Sequence, residues 1–301
     1  MARVLVSGSS GLIGSALVPQ LQSAGHEVIR LVRRPPVGPG EIFWDPDREQ
    51  LDSTALAGID AAVNLAGYGI AERRWNEEVK ALIRNSRVLS TRLLAQTLAR
   101  LQPKPRVLVN ASAIGYYGNR GSEELTESSP PGNDFLAQVC QEWESATAAA
   151  AEAGIRVVCC RLGVVLSDRG GALAKMRLPF LLCLGGRIGS GQQYWSWIHI
   201  ADAVRAFQFV LENESVQGPV NFVSPQPVTN AEFTRTLGRV LRRPTLFPMP
   251  GFMARLVFGE MADALFLSSA RVVPRKLQEQ GFTFDYPQLE SALRHLLQRP
   301  A

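Results

Sequence analysis

At 301 residues, with 46% hydrophobic and 20% charged residues, the chain can bury a sizeable core in one large domain or two small ones and has the composition of a soluble globular protein. A net charge of +5 without any run of basic residues argues against a nucleic-acid partner and is compatible with an anionic ligand. The cysteines (Cys140, Cys159, Cys160, Cys183) form no C-x-x-C pair, the histidines (His26, His199, His295) show no metal-ligand spacing, and no apolar run approaches membrane-spanning length.

The first strand starts at Arg3, which leaves no room for a signal peptide ahead of it, so a cytoplasmic protein without a membrane partner is expected. Val4-Leu5-Val6 reads as an apolar strand. It runs into Ser7-Gly8-Ser9-Ser10-Gly11-Leu12-Ile13-Gly14, and Leu12, Ala16, Leu17 and Leu21 then recur near helical spacing, so a helix is expected from about Gly11. Strand, glycine turn and helix make the context of a dinucleotide site. Gly8 allows the tight turn, Gly11 lets the backbone approach a pyrophosphate, and Gly14 lets the helix lie close to the strand. Amides of the loop and helix start, around Ser10, Leu12 and Ile13, then face the phosphates.

Val28–Val32 reads as the second strand. Arg33 and Arg34 follow it, 19 and 20 residues after Gly14, with no carboxylate beside them. An acidic residue near this point accepts from a ribose 2′-OH, whereas arginine accommodates a 2′-phosphate, so NADP(H) is expected over NAD(H). Residues 35–58, rich in proline, glycine and acidic groups, read as mostly loop. Asp60–Gly67 is a buried parallel strand ending in the small-residue turn Leu65-Ala66-Gly67, where a ligand can approach the backbone.

The apolar spacing from Trp75 to Leu101 fits one long helix. Arg87 within it is a surface charge or a phosphate contact. Val107–Ser112 is the next strand, and Ser112–Gly118 is its exit loop. A helix capped by Asn133 or Asp134 is expected to run to about Ala153, followed by a buried strand over Arg156–Leu166. Gly170-Gly171 starts a further helical stretch that Gly185-Gly186 ends. Tyr194–Ile200 is strand-like, a helix runs from about Asp202 to Glu212, Val220–Val223 is a late strand, and Thr229 with Glu232 caps a helix to Leu241. Alternating strands and helices predict an α/β, Rossmann-like, doubly wound parallel sheet. The alternation stops near residue 225. The expected division is a dinucleotide-binding domain of residues 1–165 and 198–224, with residues 166–197 and 225–301 forming a small C-terminal lobe on the substrate side.

This order of motifs resembles the extended short-chain dehydrogenase/reductase superfamily over nearly the whole chain. Gly8-x-x-Gly11-x-x-Gly14, Asn64–Gly67, Asn110-Ala111-Ser112 with Tyr117-Gly118, Trp197–Asp202 and Asn221–Ser224 carry the likeness. Arg74-Trp75-Asn76, Asn85-Ser86-Arg87, Trp143-Glu144 and Gly185–Gly191 are similar to an atypical branch labelled nucleoside-diphosphate-sugar epimerase. In that branch the resemblance implies NADP(H) held through Arg33, Leu65, Ala66 and Arg87, with Gly163 and Val164 near the nicotinamide. The superfamily's Tyr-x-x-x-Lys pair is missing: Leu136 and Cys140 stand at its two positions, and no lysine lies between Lys104 and Lys175. Ser112, Tyr116 and Tyr117 remain as candidate catalytic residues, and Ser112 is a candidate cofactor contact as well. Two functions are open on these residues. One is an NADP(H)-dependent oxidoreductase or epimerase-like enzyme for a small polar substrate, a nucleotide sugar among the candidates. The other is an NADP(H)-binding regulatory protein without turnover; a third, a nucleic-acid or membrane-surface protein, has only the net charge behind it.

Overall fold

The computed structural model describes residues 1–298. In chain order its strands are β1 (Arg3–Ser7), β2 (Glu27–Val32), β3 (Glu41–Asp45), β4 (Gln50–Leu51), β5 (Ala61–Asn64), β6 (Val107–Ala113), β7 (Glu124–Leu125), β8 (Arg156–Leu162), β9 (Val164–Leu166), β10 (Tyr194–Trp195), β11 (Trp197–His199), β12 (Gly218–Phe222), β13 (Val228–Thr229) and β14 (Arg271–Val272). The helices are α1 (Gly14–Ser23), α2 (Glu77–Arg100), α3 (Phe135–Ser145), α4 (Ala148–Glu152), α5 (Gly171–Leu181), α6 (Ile200–Glu212), α7 (Asn230–Leu241), α8 (Gly251–Phe258), α9 (Glu260–Ala262), α10 (Arg275–Glu279) and α11 (Leu289–Leu297).

Eight strands make one sheet in the order β12-β8-β6-β5-β1-β2-β3-β4, parallel except for the β3–β4 pair. The chain starts in the middle at β1, winds outward to β4, then returns to β5 on the other side of β1. The strand order therefore reverses between β1 and β5, and a ligand crevice belongs at their carboxyl ends. Side chains alternate across the sheet. Val4 and Val6 pack with Leu17 and Leu21 of α1 and Phe207 of α6, while Leu5 packs with Leu94 and Leu98 of α2. Helices thus cover both faces, as the strand–helix alternation predicted.

Several local expectations are corrected. The segment read as loop after Arg34 contains β3, an added parallel strand beside β2, and its Trp44 is buried. Proline and glycine on its flanks hide this short strand, and tertiary pairing decides it. The first helix begins at Gly14, not Gly11, because Gly11 N–H closes a turn onto Gly8 O at 3.0 Å. The helix expected from residue 133 to 153 is two helices, α3 and α4, separated at Ala146 and Thr147. The Arg156–Leu166 strand breaks at Gly163, where a Cβ would lie 2.6 Å from Ser196 O, so β9 leaves the main sheet to pair with β11.

The capping signals correspond to real contacts. Asp134 accepts from Ala137 N at 2.9 Å and Thr229 from Glu232 N at 3.2 Å. A further core beyond the sheet joins Leu173 and Phe180 of α5, Trp195, Trp197, Phe233 and Leu237 of α7, and Leu293 of α11. His199 and His295, remote in sequence, meet at 3.1 Å beside this core.

Candidate active site at the sheet's carboxyl edge

Gly8 adopts φ +63°, a conformation glycine tolerates, and a Cβ on it would sit 2.6 Å from Leu65 O and 3.0 Å from Ala66 N. The loops after β1 and β5 therefore touch. Gly14 is as constrained, since its Cβ would lie 2.3 Å from Gly8 O. Gly11 is different: it is exposed, and its Cβ would meet only Gly8 O at 3.3 Å. Among the described residues, the Leu12 and Ile13 amides donate to no carbonyl, which leaves two N–H groups at the start of α1 available to an anion.

Beneath these loops runs a buried polar ladder. Ser7, Asn64 and Asn110 are register neighbours across β1, β5 and β6. Ser7 Oγ donates to Asn64 Oδ1 at 2.5 Å, and Leu65 N donates back to Ser7 Oγ at 3.1 Å. Asn64 Nδ2 donates to Asn110 Oδ1 at 2.7 Å and to Thr91 Oγ1 at 2.8 Å, and Trp143 Nε1 reaches the same threonine at 2.9 Å. The ladder locks the β5 loop to α2 and α3. Sequence reasoning used Asn64 and Asn110 only as family marks and missed Ser7 and Thr91. Polar residues ending buried strands are the signal that points to them.

Arg87 projects from α2 behind Gly67, whose Cβ would lie 3.3 Å from the guanidinium carbon. It is half-buried, and its Nη1 donates to Tyr68 O at 3.0 Å and Ile83 O at 2.9 Å. The guanidinium lies 5.1 Å from the ring centre of Trp143. Burial lowers its pKa, and no carboxylate pairs with it among the described residues. An arginine in that state is a cation without an anion, at the crevice between β1 and β5.

The two arginines after β2 have different situations. Arg34 is clamped by the buried Glu41, with two bonds of 2.7 Å. The hydrogen bond from Arg34, with Val37 N and Arg30 adding to it, lowers the Glu41 pKa to about 2. Arg33 pairs at 2.8 Å with Asp47, and both side chains are mostly exposed. The expectation of two arginines without carboxylates is therefore corrected: β3 and the turn after it carry Glu41 and Asp47 to them. Arg34 is committed, and Arg33 holds a partner that an incoming phosphate can displace.

At the ends of β6 and β8 the catalytic candidates separate. Ser112 is 1% exposed and donates to Glu144 Oε1 at 2.7 Å. Glu144 also accepts from Arg161 Nε at 2.8 Å and Nη2 at 2.9 Å, and the Arg161 side chain is 3% exposed. Burial pulls on the Arg161 pKa from below, but the Glu144 carboxylate outweighs it and holds the guanidinium charged. Tyr117 is fully buried. Its hydroxyl donates to Asn221 Oδ1 at 2.6 Å and accepts from Arg161 Nη1 at 3.0 Å, and burial pushes its pKa up to about 12. The hydroxyls of Ser112 and Tyr117 are both hydrogen-bonded inside the Glu144–Arg161 network.

Tyr116 remains. It is partly exposed, its ring lies 3.4 Å from the Arg161 guanidinium carbon and edge-on to Tyr117, and its hydroxyl makes no hydrogen bond among the described residues. Sequence reasoning named Glu144 only as part of a family mark and missed Arg161. A charge inside the apolar run Val157–Leu162 demands a buried partner, and that is the signal available for it.

The positions of the absent Tyr-x-x-x-Lys pair are apolar in space as well. Leu136 Cβ lies 3.3 Å from where a Gly115 Cβ would stand, and the Cys140 sulfur 3.8 Å. Burial pushes the Cys140 thiol up to about 12, so it carries no charge near neutrality. Leu12 approaches Gly170 and Gly171 within 3.3 and 3.0 Å of their would-be Cβ atoms, and Val165 O lies 3.5 Å from the latter, so the start of α5 borders the glycine loop and β9. Among the described residues no cluster of three or more metal-ligating side chains occurs, and no helix is long and apolar enough to cross a membrane.

The NAD dependent epimerase/dehydratase family model matches residues 4–223, and a domain of unknown function (DUF1731) matches residues 249–296. An epimerase family protein of Mycobacterium bovis is 46% identical over 299 residues, covering 99% of each chain. The crystal structure of the human epimerase family protein SDR39U1 (isoform 2) with NADPH matches with a TM-score of 0.92 at 38% identity, covering 99% of this chain and 100% of that one. A nucleoside-diphosphate sugar epimerase from Corynebacterium glutamicum matches with a TM-score of 0.82 at 40% identity, over 98% of this chain and 58% of that one.

Proposed function

The chain belongs to the NAD dependent epimerase/dehydratase family, and from that premise we propose that it binds NADP(H) between the β1 and β5 loops and acts as an oxidoreductase or epimerase-like enzyme on a small polar substrate. The observation that carries the reading is the anion cradle: the glycine loop pressed on Leu65, the two free amides at α1, and Arg87 without a carboxylate. The human relative was crystallised with NADPH, and the Corynebacterium relative is called a nucleoside-diphosphate sugar epimerase. A nucleotide sugar is therefore the first substrate class to test.

The residues fit the cofactor. Gly8, Ser10, Gly11, Leu12, Ile13 and Gly14 would hold the diphosphate, with Arg87 beside it. Leu65, Ala66 and Gly67 would border the adenosine, and Gly163 and Val164 the nicotinamide. Bound NADP(H) would supply hydride transfer. This chain's own residues orient the substrate and move the proton. With Ser112 and Tyr117 closed off, Tyr116 takes the proton role, its ring held in place by the Arg161 guanidinium.

Arg33→Ala should weaken NADPH binding by about 1.5 kcal/mol, the lower end for a hydrogen bond to a charged group, because the side chain is exposed and must release Asp47. NADH affinity should hardly change. Equal losses for the two cofactors in calorimetry would mean that Arg33 does not read the 2′-phosphate.

Tyr116→Phe should lower kcat about a hundredfold or more, the usual contribution of a positioned general acid, with NADPH affinity unchanged. The assay is NADPH consumption or sugar epimerisation over a panel of UDP- and dTDP-sugars and small carbonyl compounds. Wild-type kcat in the variant would assign the proton to substrate or water. The closed Ser112 and Tyr117 hydroxyls favour a second reading, an NADP(H)-binding protein without turnover. Tight NADPH binding with no turnover on the whole panel is its signature.

A further inference from the structure

The outer surface of the lobe carries apolar side chains that no core uses. On α5 and its C-cap, Leu178, Leu181 and Leu182 are exposed at i, i+3 and i+4 and so share one face. On α8, Phe252, Met253, Leu256 and Val257 form a second stripe opposite the buried Ala254, with Phe252 69% and Leu256 74% exposed. The chain after α5 and the chain before α8 run side by side. Arg243 Nε donates to Leu181 O at 3.1 Å, Met249 N to Arg187 O at 2.8 Å, and Gly189 N to Met249 O at 2.9 Å. Leu184, Leu246 and Phe247 are exposed along this junction.

The two segments that carry the stripes hold charge of one sign. Residues 171–187 and 239–258 contain no aspartate or glutamate. Lys175, Arg239 and Arg255 find carboxylates outside those segments, in Glu72, Glu290 and Asp263. Arg177, Arg187, Arg242 and Arg243 are exposed and make no ion pair among the described residues. A two-fold contact with a second copy would bring this positive rim against itself. A protein partner would add hydrogen bonds to such a surface, whereas an anionic bilayer asks only for apolar depth and a cationic rim.

We propose that the α5–α8 face docks on an anionic lipid bilayer, with its leucines and phenylalanines in the acyl boundary and its arginines among the headgroups. No helix among the described residues is long and apolar enough to span the membrane. The expectation of no membrane partner rests on the lack of a long apolar run and of a signal peptide. Neither reveals a patch assembled from two segments remote in sequence.

The test is co-sedimentation of the full chain with vesicles of phosphatidylglycerol and phosphatidylcholine in equal parts, against vesicles of phosphatidylcholine alone. The wild type should sediment with the anionic vesicles, and added salt should release it. Arg177→Glu with Arg242→Glu, and separately Phe252→Ser with Leu256→Ser, should each lower the partition coefficient about tenfold or more. All four side chains are exposed, so melting temperature and NADPH affinity should stay at wild-type values, which separates this surface from the cofactor site. Wild-type protein that stays in the supernatant overturns the proposal, as do variants that sediment like the wild type. Light scattering that shows a dimer broken by the Phe252 and Leu256 changes also overturns it, by assigning the face to a second copy.

Discussion

Gly11→Val is expected to abolish NADPH binding while the protein stays folded. The three loop glycines differ in what a side chain would strike. At Gly14 it would drive into Gly8 O at 2.3 Å and Ser9 Cα at 2.7 Å, so a substitution there breaks the packing of the loop on the helix. At Gly8 it would need a left-handed backbone and would strike the β5 loop. At Gly11 it would meet only Gly8 O at 3.3 Å and otherwise point to solvent, in the space that a diphosphate needs. The cost should therefore fall on binding, by about a hundredfold or more, or roughly 2.7 kcal/mol. Thermal melting reads both halves of the claim. Without cofactor the variant should melt near the wild type, and NADPH should raise the midpoint of the wild type alone. A variant still stabilised by NADPH would reduce the loop to an ordinary turn.

Arg161→Met should destabilise the protein by about 3–5 kcal/mol in urea unfolding, the cost of leaving a buried charge without its partner. Arg161 donates two bonds to Glu144 and one to the Tyr117 hydroxyl, and its side chain is 3% exposed. Its removal strands the carboxylate that Ser112 also addresses. Adding Glu144→Leu should recover much of the loss, because two apolar residues of similar size replace a buried ion pair at little cost. A loss under about 1 kcal/mol for Arg161→Met would show that Glu144 rehydrates freely and that the network is not a structural unit. The double variant also bears on Tyr116, whose ring rests on this guanidinium.

What the sequence determines by itself is what short-range spacing can encode. The β1–glycine-loop–α1 unit, the alternation that makes a doubly wound sheet, the Asp134 and Thr229 caps and the lack of Tyr-x-x-x-Lys are all patterns within a few residues of one another, and local backbone geometry acts over that range. Tertiary structure decides where a side chain at the end of a buried strand points and what meets it there. Ser112 and Arg161 are register partners across β6 and β8, and α3 lays Glu144 over both, so a serine that reads as catalytic becomes part of a closed ion-pair network. Arg33 and Arg34 are adjacent in sequence, yet β3 gives one a buried carboxylate and the other an exposed one. Tyr116 and Tyr117 differ in the same way: a single turn of 3₁₀ helix sends one hydroxyl to Asn221 and leaves the other without a hydrogen bond among the described residues. Long-range pairing sets these outcomes, because the desolvation that fixes the state of each polar group depends on neighbours brought from elsewhere in the chain.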